Sequence, residues 1–355
     1  MNCNEGDVAG TGYRVAIAGA TGAVGQTMLS ILEERDFPVR GVRLLASERS
    51  EGKTLTFRGE EVKVEKLTER AFQGIEVALF SAGASRSKTF APAGVKAGAL
   101  VVDNSSAFRM DPEVPLIIPE VNPEAAFQHK GLIANPNCTT TVTVMALKPL
   151  HDAARVKRVI VSSYQSVSGA GTQAIEELKQ QILGWAKGEQ AETKIFPHPI
   201  AFNLIPQVDA FEDSGYTKEE MKLVHETRKL LGDASMQIAA TTVRVPVWYA
   251  HSVSVTAETE RKVTVKEARN LFRKFPGLCL WDDPPKAQYP TPLMAAGKDE
   301  CYVGRVRQDL SSETGLNFWV VGDQLRKGAA LNAIQIAELV LGVTKQGTGS
   351  CTTSN

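Results

Sequence analysis

The residue in this chain best placed for covalent chemistry is Cys138. A short apolar run, Leu132-Ile133-Ala134, stops at Asn135-Pro136-Asn137, and the cysteine then opens a mostly apolar stretch from Thr139 to His151. Pro136 disfavours helix before it, so the pattern predicts a strand that turns and enters a helix near Cys138. Unpaired N–H groups and the positive end of a helix dipole both favour the thiolate, the nucleophilic form. The alternative is a small buried hydrophobe with no chemical duty. Strand, tight turn and helix start is the context that favours a nucleophile.

Other side chains could serve such a sulfur. His251 opens a β-branched run and titrates near neutrality, so it suits proton transfer, although a histidine at a strand start also serves plain structural ends. Arg244 lies inside the apolar stretch Gln237–Val247 and needs a carboxylate partner, from the protein or from a ligand. In Lys218-Glu219-Glu220-Met221-Lys222, a spacing of three puts Glu219 and Lys222 on one helix face. They either present a carboxylate and an ammonium to a substrate or simply pair with each other in water. Arg109 ends the loop Asp103–Arg109 and is either an anion contact or a surface arginine. Gln165 follows the strand Val156–Tyr164 and leads into Ser166-Val167-Ser168-Gly169-Ala170-Gly171. The glycines there let backbone come close to a ring or a nucleophile, and Gln165 either orients a carbonyl or thiolate or faces water.

The elements that must carry these groups begin with Tyr13–Ala18, a buried parallel strand by its pattern. It runs into Gly19-Ala20-Thr21-Gly22-Ala23-Val24-Gly25 and then a helix with Val24, Met28, Leu29 and Leu32 on one face. Glycines between a first strand and a helix let a pyrophosphate sit on the helix N-terminus. The G-x-x-G-x-x-G spacing differs from G-x-G-x-x-G, so position rather than pattern carries the reading. The second strand, Val42–Ala46, should end beside an adenosine ribose. Glu48 would suit NAD, but Ser47 and Arg49, on one side by alternation, suit the 2′-phosphate of NADP. Strands follow at Glu76–Phe80, closed by the small residues Ser81-Ala82-Gly83, and at Ala99–Val102.

After Cys138 the pattern changes to strands and helices that imply a mixed sheet: Val156–Tyr164, helices Thr172–Lys187 and Tyr216–Leu231, and two joined strand-like runs carrying Arg244 and His251. A capping box at Thr264–Glu267 opens another helix, followed by strands at Cys301–Val306 and Leu316–Val321. A closing helix, Ala329–Leu341, has an apolar stripe broad enough to return to the first domain.

With 355 residues, 43% of them hydrophobic, the chain can build two cores. Forty acidic and forty basic side chains balance, so no polyanion-binding surface, and hence no nucleic acid, is expected. No apolar run approaches the ~20 residues of a membrane span. Met1–Gly12 resembles neither a signal nor a transit peptide. A cytoplasmic location is the simplest expectation, and a trimmed plastid-stroma form would read the same. The five cysteines (Cys3, Cys138, Cys279, Cys301, Cys351) are scattered, so neither disulfide staples nor a bound metal is expected.

Together, GATGAVG (19–25), DNSSAFR (103–109), ANPNCTT (134–140), YQSVSGAG (164–171), EEMK (219–222), RVPV with the later histidine, and GDQLRKGAALNA (322–333) closely resemble the aspartate-β-semialdehyde dehydrogenase family. The resemblance covers about Tyr13 to Val343. It implies a Rossmann-type NADP-binding domain (13–137 plus 326–345), an α+β catalytic and dimerisation domain with a mixed sheet (138–325), and flexible ends (1–12, 346–355). It further implies Cys138 as nucleophile, His251 as acid–base and Gln165 as the group orienting the intermediate. Arg244 would hold the substrate α-carboxylate, Glu219 its amino group, and Arg109 and Lys222 the phosphate. The cofactor set is Gly19, Thr21, Gly22, Ala23, Val24, Gly25, Ser47, Arg49, Ser81, Ser168, Gly169 and Gln324, with Gln324 near the nicotinamide. The implied reaction partners are L-aspartyl 4-phosphate, aspartate semialdehyde and phosphate, on a homodimer. The rival expectations are N-acetyl-γ-glutamyl-phosphate reductase, the weaker glyceraldehyde-3-phosphate dehydrogenase, and a catalytically silent nucleotide-binding regulator.

Overall fold

The computed structural model describes residues 12–343, so the expected flexible ends lie outside it except for Gly12. Within those residues the chain divides into two units, 12–137 with 329–343, and 138–328.

The first unit contains β1 (Tyr13–Ala18), α1 (Ala23–Glu34), β2 (Val39–Ala46), β3 (Thr54–Phe57), β4 (Glu60–Lys66), β5 (Val77–Phe80), α2 (Ala84–Lys96), β6 (Leu100–Asp103) and β7 (Leu132–Ala134). They form one sheet in the order β3-β4-β2-β1-β5-β6-β7, parallel except for β3. The chain steps outward from β1 to β2 and later restarts on the other side at β5. That reversal opens a crevice at the carboxyl ends of β1 and β5, where open parallel sheets bind ligands. Alternation along β1 feeds two cores. Val15 and Ile17 pack with Met28 and Leu32 of α1, and Ala16 and Ala18 with Phe72, Phe80 and Ala91.

Two local features depart from expectation. The charged, exposed hairpin β3–β4 has a weak strand pattern, and its turn relies on Arg58 (φ 50°) and Gly59 (φ 81°), the left-handed pair that suits a two-residue hairpin. Strand β2 stops at Ala46, and Ser47 enters a short turn in which Ser50 N–H donates to the Ser47 carbonyl at 2.8 Å. Strand alternation therefore does not govern Ser47 and Arg49.

The closing helix, Leu331–Leu341, belongs to the first unit, and a π-turn at Arg326–Ala330 moves the return from the expected residue 326 to Ala329. Leu331, Ile334 and Ala337 pack into the β1–α1 core. Arg35 forms a fork with Glu338, Nε to Oε1 at 2.8 Å and Nη2 to Oε2 at 2.6 Å, both side chains under one-tenth exposed. Asn332 Nδ2 donates to the Ile117 carbonyl at 2.9 Å and to Asn135 Oδ1 at 2.6 Å, fixing the turn just before Cys138.

The second unit contains α3 (Cys138–Ala154), β8 (Val156–Gln165), α4 (Thr172–Ala186), α5 (Lys218–Leu231), β9 (Gln237–Arg244), β10 (His251–Thr259), α6 (Val265–Lys274), β11 (Leu278–Leu280), α7 (Pro292–Ala295), β12 (Cys301–Gln308) and β13 (Gly315–Gly322). Its mixed sheet runs β11-β12-β13-β10-β8-β9. Helix α3 packs on β10. Its first turns, Thr139-Thr140-Thr141-Val142-Thr143-Val144, are β-branched and weak helix formers, but all are buried, so packing rather than propensity holds the helix. Cys279 is disulfide-bonded, which departs from the expectation of unpaired thiols. Among the described residues no helix is long and apolar enough to cross a membrane, and no cluster of side chains suits a metal ion.

The Arg35–Glu338 fork is buried, and removing Glu338 takes both of its hydrogen bonds and its charge from the guanidinium. Glu338→Ala is expected to destabilise the protein by about 3–5 kcal/mol, read as a lowered denaturant midpoint. A midpoint within error of the parent would show that the fork does not hold the closing helix.

Candidate active site

Sheet register brings the catalytic candidates of the second unit to one edge. Strands β8 and β9 are parallel, with Gln165 opposite Arg244 at their ends. Strand β10 runs antiparallel to β8 with Ser252 opposite Tyr164, so His251 starts β10 where β8 finishes. Gly169 sits against both side chains. A Cβ there would lie 3.0 Å from His251 Cε1, 3.1 Å from His251 Nε2 and 3.1 Å from Arg244 Nη1. Cys138 is the first residue of α3 and half-buried, and it is close enough to Arg244 to act on its charge. Gly328 backs the thiol, since a Cβ on it would lie 2.9 Å from Cys138 Cβ.

Arg244 is 7% exposed, and its Nη1 donates to the Ser166 carbonyl at 2.7 Å. Burial pushes its pKa down, opposed by the charges of Glu219 and Cys138. His251 is fully buried, and its Nδ1 receives the Ser166 N–H at 3.1 Å, with the Ser166 hydroxyl at 3.0 Å. Burial first, then the Arg244 charge, hold its pKa well below the ordinary histidine value, so the ring is neutral at pH 7. Its Nε2 is buried without a hydrogen-bond partner.

Gln165 Nε2 donates to Glu219 Oε1 at 3.2 Å and to Ser163 Oγ at 3.2 Å. Lys222 pairs with Glu219 at 3.1 Å and with Asp209 at 2.9 Å. Burial pushes the lysine pKa down, but those two carboxylates outweigh it and leave the pKa raised. Glu219 and Lys222 therefore form the intrahelical pair, and Glu219 also abuts Gln165. Helix α5 is set by a capping box between Thr217 and Glu220, and Glu220 Oε1 also accepts the Thr242 N–H of β9 at 2.9 Å.

Ser168 and Gln324, expected at the cofactor, are tied to His251. Gln324 Nε2 donates to Ser168 Oγ at 2.5 Å, and the Ser168 and Ser166 hydroxyls are 3.1 Å apart. Gln324 Oε1 also accepts the N–H of Ala250, which holds the left-handed φ of 66° just before His251.

In the first unit, Gly19 (φ +93°) has no room for a side chain: a Cβ would lie 2.2 Å from the Ser81 carbonyl oxygen. At Gly25 a Cβ would meet the Gly19 oxygen at 2.3 Å, whereas at Gly22 the nearest contact is an ordinary 3.4 Å. The first turn of α1, including Ala23, Val24 and Gly25, has neither a side-chain cap nor an acidic residue. Its N–H groups suit an anion, and the residues fit a dinucleotide pyrophosphate. Thr21 Oγ1 donates to Ser50 Oγ at 3.3 Å. Glu48 pairs with Lys66 at 3.1 Å, and Arg49 is exposed. Arg109 is 7% exposed, with Nε donating to the Asn135 carbonyl at 2.9 Å and Nη2 to the Asn104 carbonyl at 2.7 Å. Two residues of the second unit were not singled out by sequence: Ser166, which holds His251, and Gly328, which backs Cys138.

A sheet with a dinucleotide-type crevice in one unit, and a thiol at a helix start in the other, are the parts of a nicotinamide-dependent oxidoreductase. The family models agree: residues 14–129 match a semialdehyde dehydrogenase NAD binding domain, and residues 147–327 match the semialdehyde dehydrogenase dimerisation domain. The aspartate-semialdehyde dehydrogenase of Aquifex aeolicus is 55% identical over 334 residues, 93% of this chain and 98% of its own. That of Bacillus subtilis is 48% identical, covering 93% of this chain and 97% of its own. The crystal structure of aspartate semialdehyde dehydrogenase II from Vibrio cholerae superposes with TM-score 0.91 at 48% identity, covering 94% of this chain and 99% of that one. The same protein complexed with ASA matches equally. The chain belongs to the aspartate-semialdehyde dehydrogenase family.

Gly328→Ala must displace Cys138, and small misplacements of a reacting atom are costly. The variant is expected to lose up to about 10²-fold in kcat/KM while staying folded. Parental constants would show that the sulfur tolerates the shift.

Proposed function

We propose that the chain catalyses the reductive dephosphorylation of L-aspartyl 4-phosphate to L-aspartate 4-semialdehyde with NADPH, through a thioester on Cys138. The observation that carries this reading is the grouping, within one unit, of a thiol at a helix start with Arg244, His251 and Gln165.

The Cys138 thiolate attacks the acyl carbon, a C–S bond forms, and the C–O bond to phosphate breaks as phosphate leaves. NADPH, when bound, supplies the hydride that turns the thioester into a hemithioacetal. A thioester accepts hydride well and a free carboxylate does not, which is why a thiol is needed. His251 acts at the oxygen of the reacting carbonyl, the C–S bond then breaks, and the semialdehyde leaves. Arg244 holds the α-carboxylate, which its fork matches in shape. Glu219 receives the α-ammonium, Gln165 orients the intermediate, and Lys222 and Arg109 hold phosphate. Gly19, Thr21, Gly22, Ala23, Val24 and Gly25 hold the pyrophosphate of the dinucleotide, and Ser47 and Arg49 its 2′-phosphate. Ser81, Ser168, Gly169 and Gln324 serve the nicotinamide end.

The pairing of Glu48 with Lys66 supports NADP, because it leaves the exposed Arg49 as the charged group free to meet a phosphate. The contact between Glu219 and Gln165 favours a free amino group over an N-acetylated one, and so this substrate over N-acetyl-γ-glutamyl phosphate. The product feeds lysine, threonine, methionine and isoleucine synthesis. A homodimer is part of the reading, supported by the dimerisation-domain match and by the partly open sheet face at Ile160, Tyr164 and Trp319. A cytoplasmic location is also part of it, because Cys138 must stay reduced to attack.

The test is phosphate-dependent NADP reduction with aspartate semialdehyde, set against the N-acetylglutamate semialdehyde analogue and against NAD. Cys138→Ala is expected to abolish turnover while NADP affinity stays within a few-fold, and retained activity refutes the thioester. Arg244→Lys is expected to raise KM and lower kcat, because an ammonium cannot form the fork. Parental kinetics in that variant would remove Arg244 from the site.

A further inference from the structure

We infer that Ser166 is a positioning residue: its N–H and hydroxyl hold His251 in the Nε2–H tautomer, so that the ring meets the reacting oxygen as a neutral hydrogen-bond donor. This deepens the proposed function and rests on it.

A backbone N–H can only donate. The Ser166 N–H lies 3.1 Å from His251 Nδ1, so Nδ1 offers its lone pair, and the single proton of a neutral ring sits on Nε2. A run of side chains from Gln324 fits the same assignment. Gln324 Oε1 accepts the Ala250 N–H at 2.8 Å, which makes its Nε2 the donor end, facing Ser168 Oγ at 2.5 Å. The Ser168 hydroxyl, thus engaged as acceptor, gives its proton to Ser166 Oγ at 3.1 Å. Ser166 Oγ then gives its own proton to Nδ1 at 3.0 Å. The direction of this relay is set from the ring: with Nδ1 accepting, Ser166 Oγ can only donate to it, and Ser168 Oγ can then only donate to Ser166 Oγ. On the other side Nε2 is buried, without a partner, and next to Gly169, where no side chain intervenes.

The chemistry needs no more than a donor at that position. Attack of the thiolate and addition of hydride each put negative charge on the same oxygen. Each adduct collapses by re-forming the carbonyl and expelling phosphate or thiolate. A neutral Nε2–H stabilises that oxygen in both stages without the ring changing its proton count. The charged group acting directly on the ring is Arg244, from the end of β9. Glu219 of α5 and Cys138 of α3 act on Arg244 in turn, and Lys222 pairs with Glu219. From β8 and the turn after it, and from the residues after β13, come the uncharged Gln165, Ser166, Ser168 and Gln324.

The test is ¹⁵N NMR of the imidazole nitrogens in the histidine-labelled enzyme, with His251→Asn assigning the signal. The expected spectrum at pH 7 is the Nε2–H tautomer, and an Nδ1–H tautomer overturns the inference. It is read on the parental enzyme without substrate, so it stands apart from the thioester test and does not depend on a variant folding. Ser166→Ala removes a donor to Nδ1 and makes ring protonation easier. The ring pKa, read from the pH dependence of the same ¹⁵N signals, is expected to move up, with kcat lowered by less than the roughly 10²–10³-fold typical of deleting a donor outright and KM little changed. Parental kcat and an unmoved ring titration in Ser166→Ala would also overturn it.

Discussion

A positive charge kept away from water organises the second unit. Arg244 closes a strand, and nearly all of its guanidinium is removed from solvent, a costly arrangement unless charge and hydrogen bonds compensate. The compensation comes from the Ser166 carbonyl, from Glu219 and from the Cys138 sulfur. Those attractions are mutual. The guanidinium that gains from a negative sulfur also favours the thiolate, adding to the helix start beneath it. The same charge disfavours an imidazolium at His251. One buried cation thus acts on both the imidazole and the sulfur.

The two units solve different problems with the same means. In the first, the sheet reverses direction beside β1, and the steric demands at Gly19 and Gly25 close the strand–helix turn tightly, leaving the first amides of α1 uncapped. In the second, a parallel pair beside an antiparallel strand puts two strand ends and one strand start on a single edge. Glycine enters there for space: Gly169 lets backbone pack against the imidazole and guanidinium with no side chain between, and Gly328 leaves room for the residue that bears the sulfur.

Much of this was legible in the sequence, and the failures have physical causes. The strand–turn–helix around Cys138 could be read because Pro136 and the apolar run act locally. His251, Arg244 and Gln165 could be flagged one by one, because each is a polar group in an apolar or glycine-rich setting. Their convergence could not be read from local pattern, since it depends on pairing between strands about 80 residues apart in the chain. The hairpin β3–β4 escaped notice because its residues are exposed and charged, which erases the alternation that marks a half-buried strand. The alignment of Ser47 with Arg49 assumed a strand that ends one residue too soon. Ser166 stood in a stretch already marked for its glycines, but a serine carries no sign of which ring its N–H will meet.

In the proposed reaction Cys138 carries the acyl group. The most direct measurement mixes the enzyme with aspartate semialdehyde and NADP in the absence of phosphate, quenches in acid, and maps peptide masses. A burst of NADPH is expected, matched by an aspartyl acyl group on the peptide containing Cys138 and released when phosphate is added. A burst with no acylated peptide, or with the acyl group on another residue, would contradict it.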